Sequence, residues 1–308
     1  MPSPTVPSPA RESARTALVI ALCGFASLSC GDALVKSMAG QWPAPAVSAL
    51  RYTFGAIGLA VMVALRHGRA GFVMPRPALQ LGRGAAVAVA TICFFIGVMV
   101  MPLADATAIQ FTSPIITALL APFVLGERTK RATWLATLLA FAGVLVVLRP
   151  NLYELGAVAL FPIGAAVGMS WLMMFNRKAA GDAPVMVMQF LLALIAAPLL
   201  IAAAFVLGRL GIFAIPAPSA LVVAKCLGVA LFATLGHTLI FAAVERADAS
   251  IVAPMTYVQL LVAAGLGWLL FGDAPDATGF SGAALIIAGG LLLWRAQRTN
   301  VAPEGTPD

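Results

Sequence analysis

The sequence predicts an all-α integral membrane protein of ten transmembrane helices, arranged as two inverted five-helix repeats. Three observations predict it. The 308 residues are 61% hydrophobic and only 10% charged, with a mean hydropathy of +0.99, whereas soluble domains sit near ~45–50% apolar and ~25% charged. The apolar residues gather into ten runs, most of them close to the ~20 residues that cross a bilayer. The second half of the chain also repeats landmarks of the first in the same order.

The runs follow one another with short polar gaps. The first, 17–38, is too long for the apolar stretch of a signal peptide, and nine more follow it, which argues against cleavage. Gln41-Trp42-Pro43-Ala44-Pro45 separates it from the second, 44–65. A basic gap leads to 83–102, and Pro102 marks the turn into 103–125. The next four runs are 132–148, 155–175, 184–207 and 220–244. The ninth, 249–271, ends at Gly272-Asp273-Ala274-Pro275 before the last, 277–294. Leu, Ala and Val dominate without the alternation of a membrane barrel, so the runs read as helices. Residues 1–16, rich in Pro and Ser, and 296–308 read as disordered cytoplasmic tails.

A net charge of +7 and a pI near 9.8 would in a soluble chain raise nucleic acid as a partner. Here the basic residues fall in the gaps between apolar runs, so they read as orientation signals and no nucleic acid is expected. With the N-terminus inside, fourteen of the 19 Lys and Arg fall in inner segments, two (Arg149 and Arg209) in outer loops and three (Lys36, Arg51 and Lys225) within spans. Both termini are therefore expected in the cytoplasm, in a multi-pass protein of a bacterial-type inner membrane. Cys23, Cys30, Cys93 and Cys226 lie inside apolar runs with no C-x-x-C spacing, so neither a disulfide framework nor a metal site is expected.

Residues 126–149 lie on 272–295 without a gap at an offset of 146, with Gly126/Gly272, Leu139/Leu285, Ala142/Ala288, Gly143/Gly289, Leu145/Leu291 and Arg149/Arg295 identical. Glu127/Asp273 is a matching acid, and Ala104-Asp105-Ala106-Thr107 matches Ala247-Asp248-Ala249-Ser250. The repeats are placed at 17–149 and 155–295, five spans each. An odd number of spans forces the second copy upside down, the architecture of secondary transporters with a site near the midplane.

The chain resembles the drug/metabolite transporter superfamily, in particular its ten-span EamA-type members. The resemblance rests on Asp32-Ala33-Leu34-Val35-Lys36, Arg51-Tyr52-Thr53-Phe54, Pro102 to Ile109 with Ser113-Pro114, and Leu125-Gly126-Glu127-Arg128. Tyr257-Val258-Gln259-Leu260 and Gly267 through Phe271-Gly272-Asp273 complete it. It spans nearly all of 17–295 and departs at Gly272-Asp273, where Gly-Glu is the commoner ending. The resemblance implies transport of amino acids, metabolites, nucleoside-like cofactors, vitamins or drugs, mostly as export.

Charge inside a span is costly, so each such residue demands an account. Asp32 lies six residues from the outer end of the first span and Arg51 seven residues into the second from the same side, and an ion pair between them is expected. Lys36 follows Asp32 at i+4, which favours contact. Two roles are open: docking the first span on the second, with Lys36 snorkelling to the headgroups, or handling substrate or protons. In the fourth span Pro114 frees the Gln110 carbonyl, and in the ninth Pro254 frees that of Ser250. Gln110, Tyr257 and Gln259 are candidate substrate-lining residues with Arg51 and Trp171, while Thr112 and Ser113 read as interhelical hydrogen-bonding groups. His237, the one intramembrane histidine, is a candidate coupling group or a helix-packing partner. Lys225 is expected to snorkel. Asp105 and Asp248 read as helix N-caps, and Gly164-x-x-x-Gly168 as close helix packing.

The reading is a secondary transporter of a small polar organic metabolite by alternating access, most simply an exporter of an amino acid or amino-acid-derived compound. Uptake of a nucleoside-like or flavin-like cofactor, or multidrug efflux, is the alternative. No Walker A, G-x-S-x-G or H-E-x-x-H motif is present, so no ATP hydrolysis or enzyme chemistry is expected, and no cofactor. The expected partners are a small-molecule substrate and the lipid bilayer, with the chain a monomer or homodimer.

Overall fold

In the computed structural model, residues 9–125, 131–244, 255–274 and 276–298 are described. They are helical, with no strand among them. The helices are α1 (Pro9–Lys36), α2 (Ala44–His67), α3 (Pro77–Val100), α4 (Leu103–Gln110), α5 (Ser113–Leu125) and α6 (Arg131–Leu155). They continue with α7 (Phe161–Lys178), α8 (Val185–Arg209), α9 (Ala220–Val244), α10 (Thr256–Phe271) and α11 (Ala277–Arg298). Seven helical segments of 21 to 29 residues are long and apolar enough to cross a membrane, and Trp134–Leu148, Thr256–Phe271 and Ala277–Leu292 are shorter apolar helices. Leu65, Phe123, Leu269 and Phe280 are each at least 70% exposed. A belt of such residues suits lipid rather than water.

Proline starts the helices and glycine ends them. Pro occupies one of the first two positions of α2, α3 and α7, where its missing N–H costs nothing. Gly272 closes α10 at φ +74°, a left-handed turn that glycine adopts without a Cβ clash. That turn returns the Asp273 N–H to Gly267 O at 3.2 Å. The fourth apolar run is two helices: Phe111 and Thr112 interrupt it just before Pro114, which has no N–H for the Gln110 carbonyl.

Several expected boundaries shift. α1 begins at Pro9, so the described part of the expected N-terminal tail is helical; Ala, Arg and Glu after a first-turn proline favour this. α6 runs through the expected linker to Leu155, and α11 extends to Arg298. α3 starts six residues before the expected 83, at Pro77. Gly126, Glu127, Arg128, Asp248, Ser250 and Pro254 lie outside the described residues.

Close crossings join α1 to α9, α2 to α8, α3 to both α7 and α8, and α6 to α11. Glycines permit them. A Cβ on Gly24 would come within 3.0 Å of Gly236 O, and one on Gly143 within 2.7 Å of Gly282 O. Gly168 packs so tightly on Ala90 and Ala86 of α3 that a Cβ would lie 2.9 Å from Ala90 N, so Gly164-x-x-x-Gly168 is a close helix contact. Small residues give membrane helices this approach, because apolar burial drives no association in lipid.

Candidate functional site

The site forms where α1, α2, α9 and α10 meet. Asp32, partly buried in α1, accepts a hydrogen bond from Gln259 Nε2 of α10 at 3.2 Å. One turn earlier, Ser29 donates to the Gln259 backbone carbonyl at 2.8 Å. This face of α1 therefore holds both ends of Gln259, from 227 and 230 residues away in the chain.

Arg51 does not form the expected ion pair with Asp32: no Arg51 nitrogen comes within 4.0 Å of the carboxylate. Its guanidinium instead lies over the rings of Tyr52, 4.7 Å from the centroid, and Phe95, at 5.5 Å. Neighbouring rings hold a planar cation well, and Tyr52 is itself fixed by a 3.1 Å hydrogen bond to Thr91. His237 of α9 places Nδ1 2.6 Å from Ala233 O. A carbonyl only accepts, so Nδ1 carries the proton and, in the neutral ring, Nε2 is left as an acceptor.

Lys36 differs from both expectations for it. It makes no contact with Asp32, and its side chain, 12% exposed, turns into the protein. Its Nζ pairs with Asp273 Oδ2 at 2.9 Å and donates to Met101 O at 2.7 Å, with the Phe271 ring 5.4 Å away. The sequence builds that socket locally. Extended Met101, ahead of Pro102, turns its carbonyl out of α3, and the turn at Gly272 swings Asp273 back towards α1. Lys225 likewise donates inside the protein, to Ser37 O at 3.1 Å.

Asp105 is not an N-cap. It lies in the first turn of α4, whose N-cap is Pro102, and its carboxylate accepts from Asn151 Nδ2 at 2.8 Å. Asp276 caps α11 instead, accepting from Gly279 N at 2.6 Å. Thr278 and Gly279 donating to its carboxylate hold Asp276 below the usual carboxylate range.

Gln110 ends α4, and its Oε1 is buried without a hydrogen-bond partner among the described residues. Its neighbour Phe111 meets Tyr257 edge-on at 6.1 Å, which brings the α4–α5 break against α10. The Tyr257 hydroxyl presses on Gly290 of α11, where any Cβ would overlap it. The Thr112 hydroxyl bonds Ile109 O three residues back, a local rather than the expected interhelical bond, while Ser113 accepts from the Ser170 hydroxyl of α7 through its backbone carbonyl. Trp171 stays apart: it is exposed and rests on Phe175, with centroids 5.7 Å apart. No hydrogen bond or ring contact joins it to Asp32, Arg51 or Gln259.

At the opposite end of α3 from Met101, Arg76 pairs with Asp182 at 2.5 Å. The Asp182 hydrogen bond holds Arg76 above its ordinary value. Two recesses of about 460 and 260 Å³ lie beside this pair. They are surface hollows remote from the Asp32–Gln259 group and carry none of its chemistry. Deeper, Arg83 is buried in a neutral cage of Asn176, Gln80 and the Met188 carbonyl, at 2.7, 2.5 and 3.3 Å.

Sequence reasoning missed Ser29, Asn151, Asp273 as a Lys36 partner, and Gly290. Ser29 had a signal, since it lies three residues before Asp32 on the same helical face. Asp273 was visible only as a repeat landmark.

Comparison with known proteins identifies the family. The chain is 26% identical over 290 residues to an S-adenosylmethionine uptake transporter of Rickettsia bellii, covering 92% of this chain and 94% of that one. It is 27% identical over 296 residues to the pseudopaline exporter CntI of Pseudomonas aeruginosa, covering 92% and 98%. A riboflavin transporter of Rhizobium johnstonii is 29% identical over 253 residues, covering 82% of each chain. A crystal structure of a protein 19% identical superposes with a TM-score of 0.59, over 94% of this chain and 99% of that one; it shares the fold. The profile of the EamA-like transporter family matches twice, over residues 15–149 and 156–295. This multi-pass membrane protein belongs to the EamA-like transporter family, whose members move small molecules rather than transform them.

Proposed function

We propose that this chain is a secondary transporter of a small polar organic metabolite, exporting an amino acid or amino-acid-derived compound across an inner membrane by alternating access. The observation that carries the reading is the Asp32–Gln259 hydrogen bond. It joins α1 of the first half to α10 of the second; His237 lies on α9, which packs on α1, and Arg51 on α2, which packs on α9. Polar groups held at depth between repeats mark a transport site.

The helix contacts support a ten-span, inverted-repeat architecture. If α1 corresponds to α7, α2 to α8, α3 to α9, α4–α5 to α10 and α6 to α11, each close crossing has its counterpart. The α1–α9 contact maps onto α7–α3, and α2–α8 and α6–α11 map onto themselves. Two family matches of similar length support the same division, near 17–149 and 155–295. The charge census then makes the Lys36 end the outer one and puts both termini in the cytoplasm.

The second reading is uptake of a nucleoside-like or flavin-like cofactor, favoured by relatives named for S-adenosylmethionine and riboflavin and by the Phe111–Tyr257 aromatic pair. Metabolites inside and outside cells with the chain, without it, and with Asp32→Asn separate the two. Export predicts one compound building up outside only when an active chain is present. Depletion of a cofactor from the medium instead would replace export with uptake.

A further inference from the structure

Asp32 and Arg51 each lack an opposite charge at contact distance. Asp32 has one neutral partner, Gln259, bonded to Oδ2 at 3.2 Å. Arg51 has aromatic rings beside it and no hydrogen-bond acceptor among the described residues. Both are only partly buried, and His237 Nε2, on the neighbouring α9, adds a free acceptor. Elsewhere in the bundle Lys36, Arg76 and Lys225 all reach protein oxygens. One negative and one positive group, out of contact with each other and each without an opposite charge, can both be matched by a molecule that carries both charges.

We propose that this site binds a zwitterion by its two ends: Arg51 holds the substrate carboxylate, and Asp32 with Gln259 holds its ammonium group. The inference rests on the amino-acid reading above and assigns the residues that select the substrate. A guanidinium presents two parallel N–H donors to a carboxylate, and Tyr52 and Phe95 keep its plane from swinging away. The ammonium reaches the Asp32 carboxylate, and the Gln259 side-chain carbonyl is free to accept a second of its protons. His237 Nε2 accepts from a polar hydrogen next to the charged ends. A neutral ring compound satisfies neither pole, so the site selects against it.

The test uses full-length protein in sealed vesicles. Labelled S-adenosylmethionine and the twenty common L-amino acids are the probes, and each compound that moves is then offered as its methyl ester and its N-acetyl form. The proposal expects either blocked form to compete roughly 10- to 100-fold more weakly than the parent, as loss of one charge-assisted contact requires. Arg51→Lys keeps the charge but loses the fork. It is expected to weaken parent binding about tenfold and erase most discrimination against the ester, while N-acetyl discrimination persists. Asp32→Asn is expected to do the reverse. A purely structural role would leave both selectivities unchanged in whatever protein remains folded. If a probe moves and both blocked forms compete equally with it, the two-pole site is overturned while amino-acid transport stands. If no zwitterion moves but labelled riboflavin does, both readings fall.

Discussion

Lys36 and Asp32 stand one turn apart on the same helix, and their surroundings differ in kind. Lys36 sits in a finished socket, with Asp273 at 2.9 Å and the Met101 carbonyl at 2.7 Å. Asp32 has one neutral hydrogen bond and, among the described residues, no cation within ion-pair distance. A charge matched inside the protein holds helices together; an unmatched charge at similar depth is maintained for something that comes and goes. Stability and transport should therefore respond separately to changes in the two places.

The largest effect is expected at the unmatched pole. Arg51→Gln should lower transport of a zwitterion by roughly 10- to 100-fold while leaving thermal unfolding in detergent unchanged or raising its midpoint, because a guanidinium without an anionic partner is removed. Loss of folded protein along with transport would break the comparison.

Next comes the matched pair. Lys36→Met leaves the partly buried Asp273 carboxylate and the carbonyl of buried Met101 without their cation. The expected cost is about 1–3 kcal/mol of stability, below the figure for a fully buried pair because Lys36 and Asp273 keep 12% and 25% of their side-chain exposure. Chemical unfolding of Lys36→Met and Asp273→Asn, singly and together, would measure it, with a clearly non-additive double variant as the expected result.

A smaller effect is expected near the same end. Asn151→Ala removes the donor to Asp105 and to Val147 O, at 2.8 and 2.9 Å, and should cost about 1–2 kcal/mol. Smallest is Asp276→Ala at the α11 cap, roughly 0.5–1 kcal/mol. Because hydrogen bonds hold the folded Asp276 carboxyl below its ordinary value, its contribution is complete above the unfolded value and fades only as pH falls through the lower, folded one. The penalty for Asp276→Ala should therefore stay constant from about pH 5 to 8, as unfolding midpoints of the two proteins across that range would show.

Much of the fold was legible in the sequence, because span length and the Pro and Gly punctuation are local. Pro102 marked a turn that the structure contains, whereas the break between α4 and α5 was not read, although Pro114 was expected to free the Gln110 carbonyl. The tails were not legible: Pro9–Thr16 is Pro- and Ser-flanked yet helical, since Ala, Arg and Glu outweigh its neighbours. At the site, Asp32 and Gln259 were both visible as polar groups in apolar runs, and the structure joins them. Depth counting alone suggested that Arg51 would reach Asp32. It says nothing of azimuth around the helix, and the rings of Tyr52 and Phe95 draw the guanidinium elsewhere. Lys36 was misread for a similar reason, because its partner is more than two hundred residues away behind a glycine turn. Trp171 looked like a stacking platform by residue type, but its face of α7 turns to Phe175.

The most direct test of the central claim is a double-mutant cycle of Asp32→Asn and Arg51→Gln read on unfolding free energy. The account predicts coupling within about 0.5 kcal/mol, as for residues that do not rely on each other in the folded chain, in protein that no longer transports a zwitterion. A coupling above about 2 kcal/mol would mean that the two charges dock α1 on α2 as a structural pair, and would contradict it.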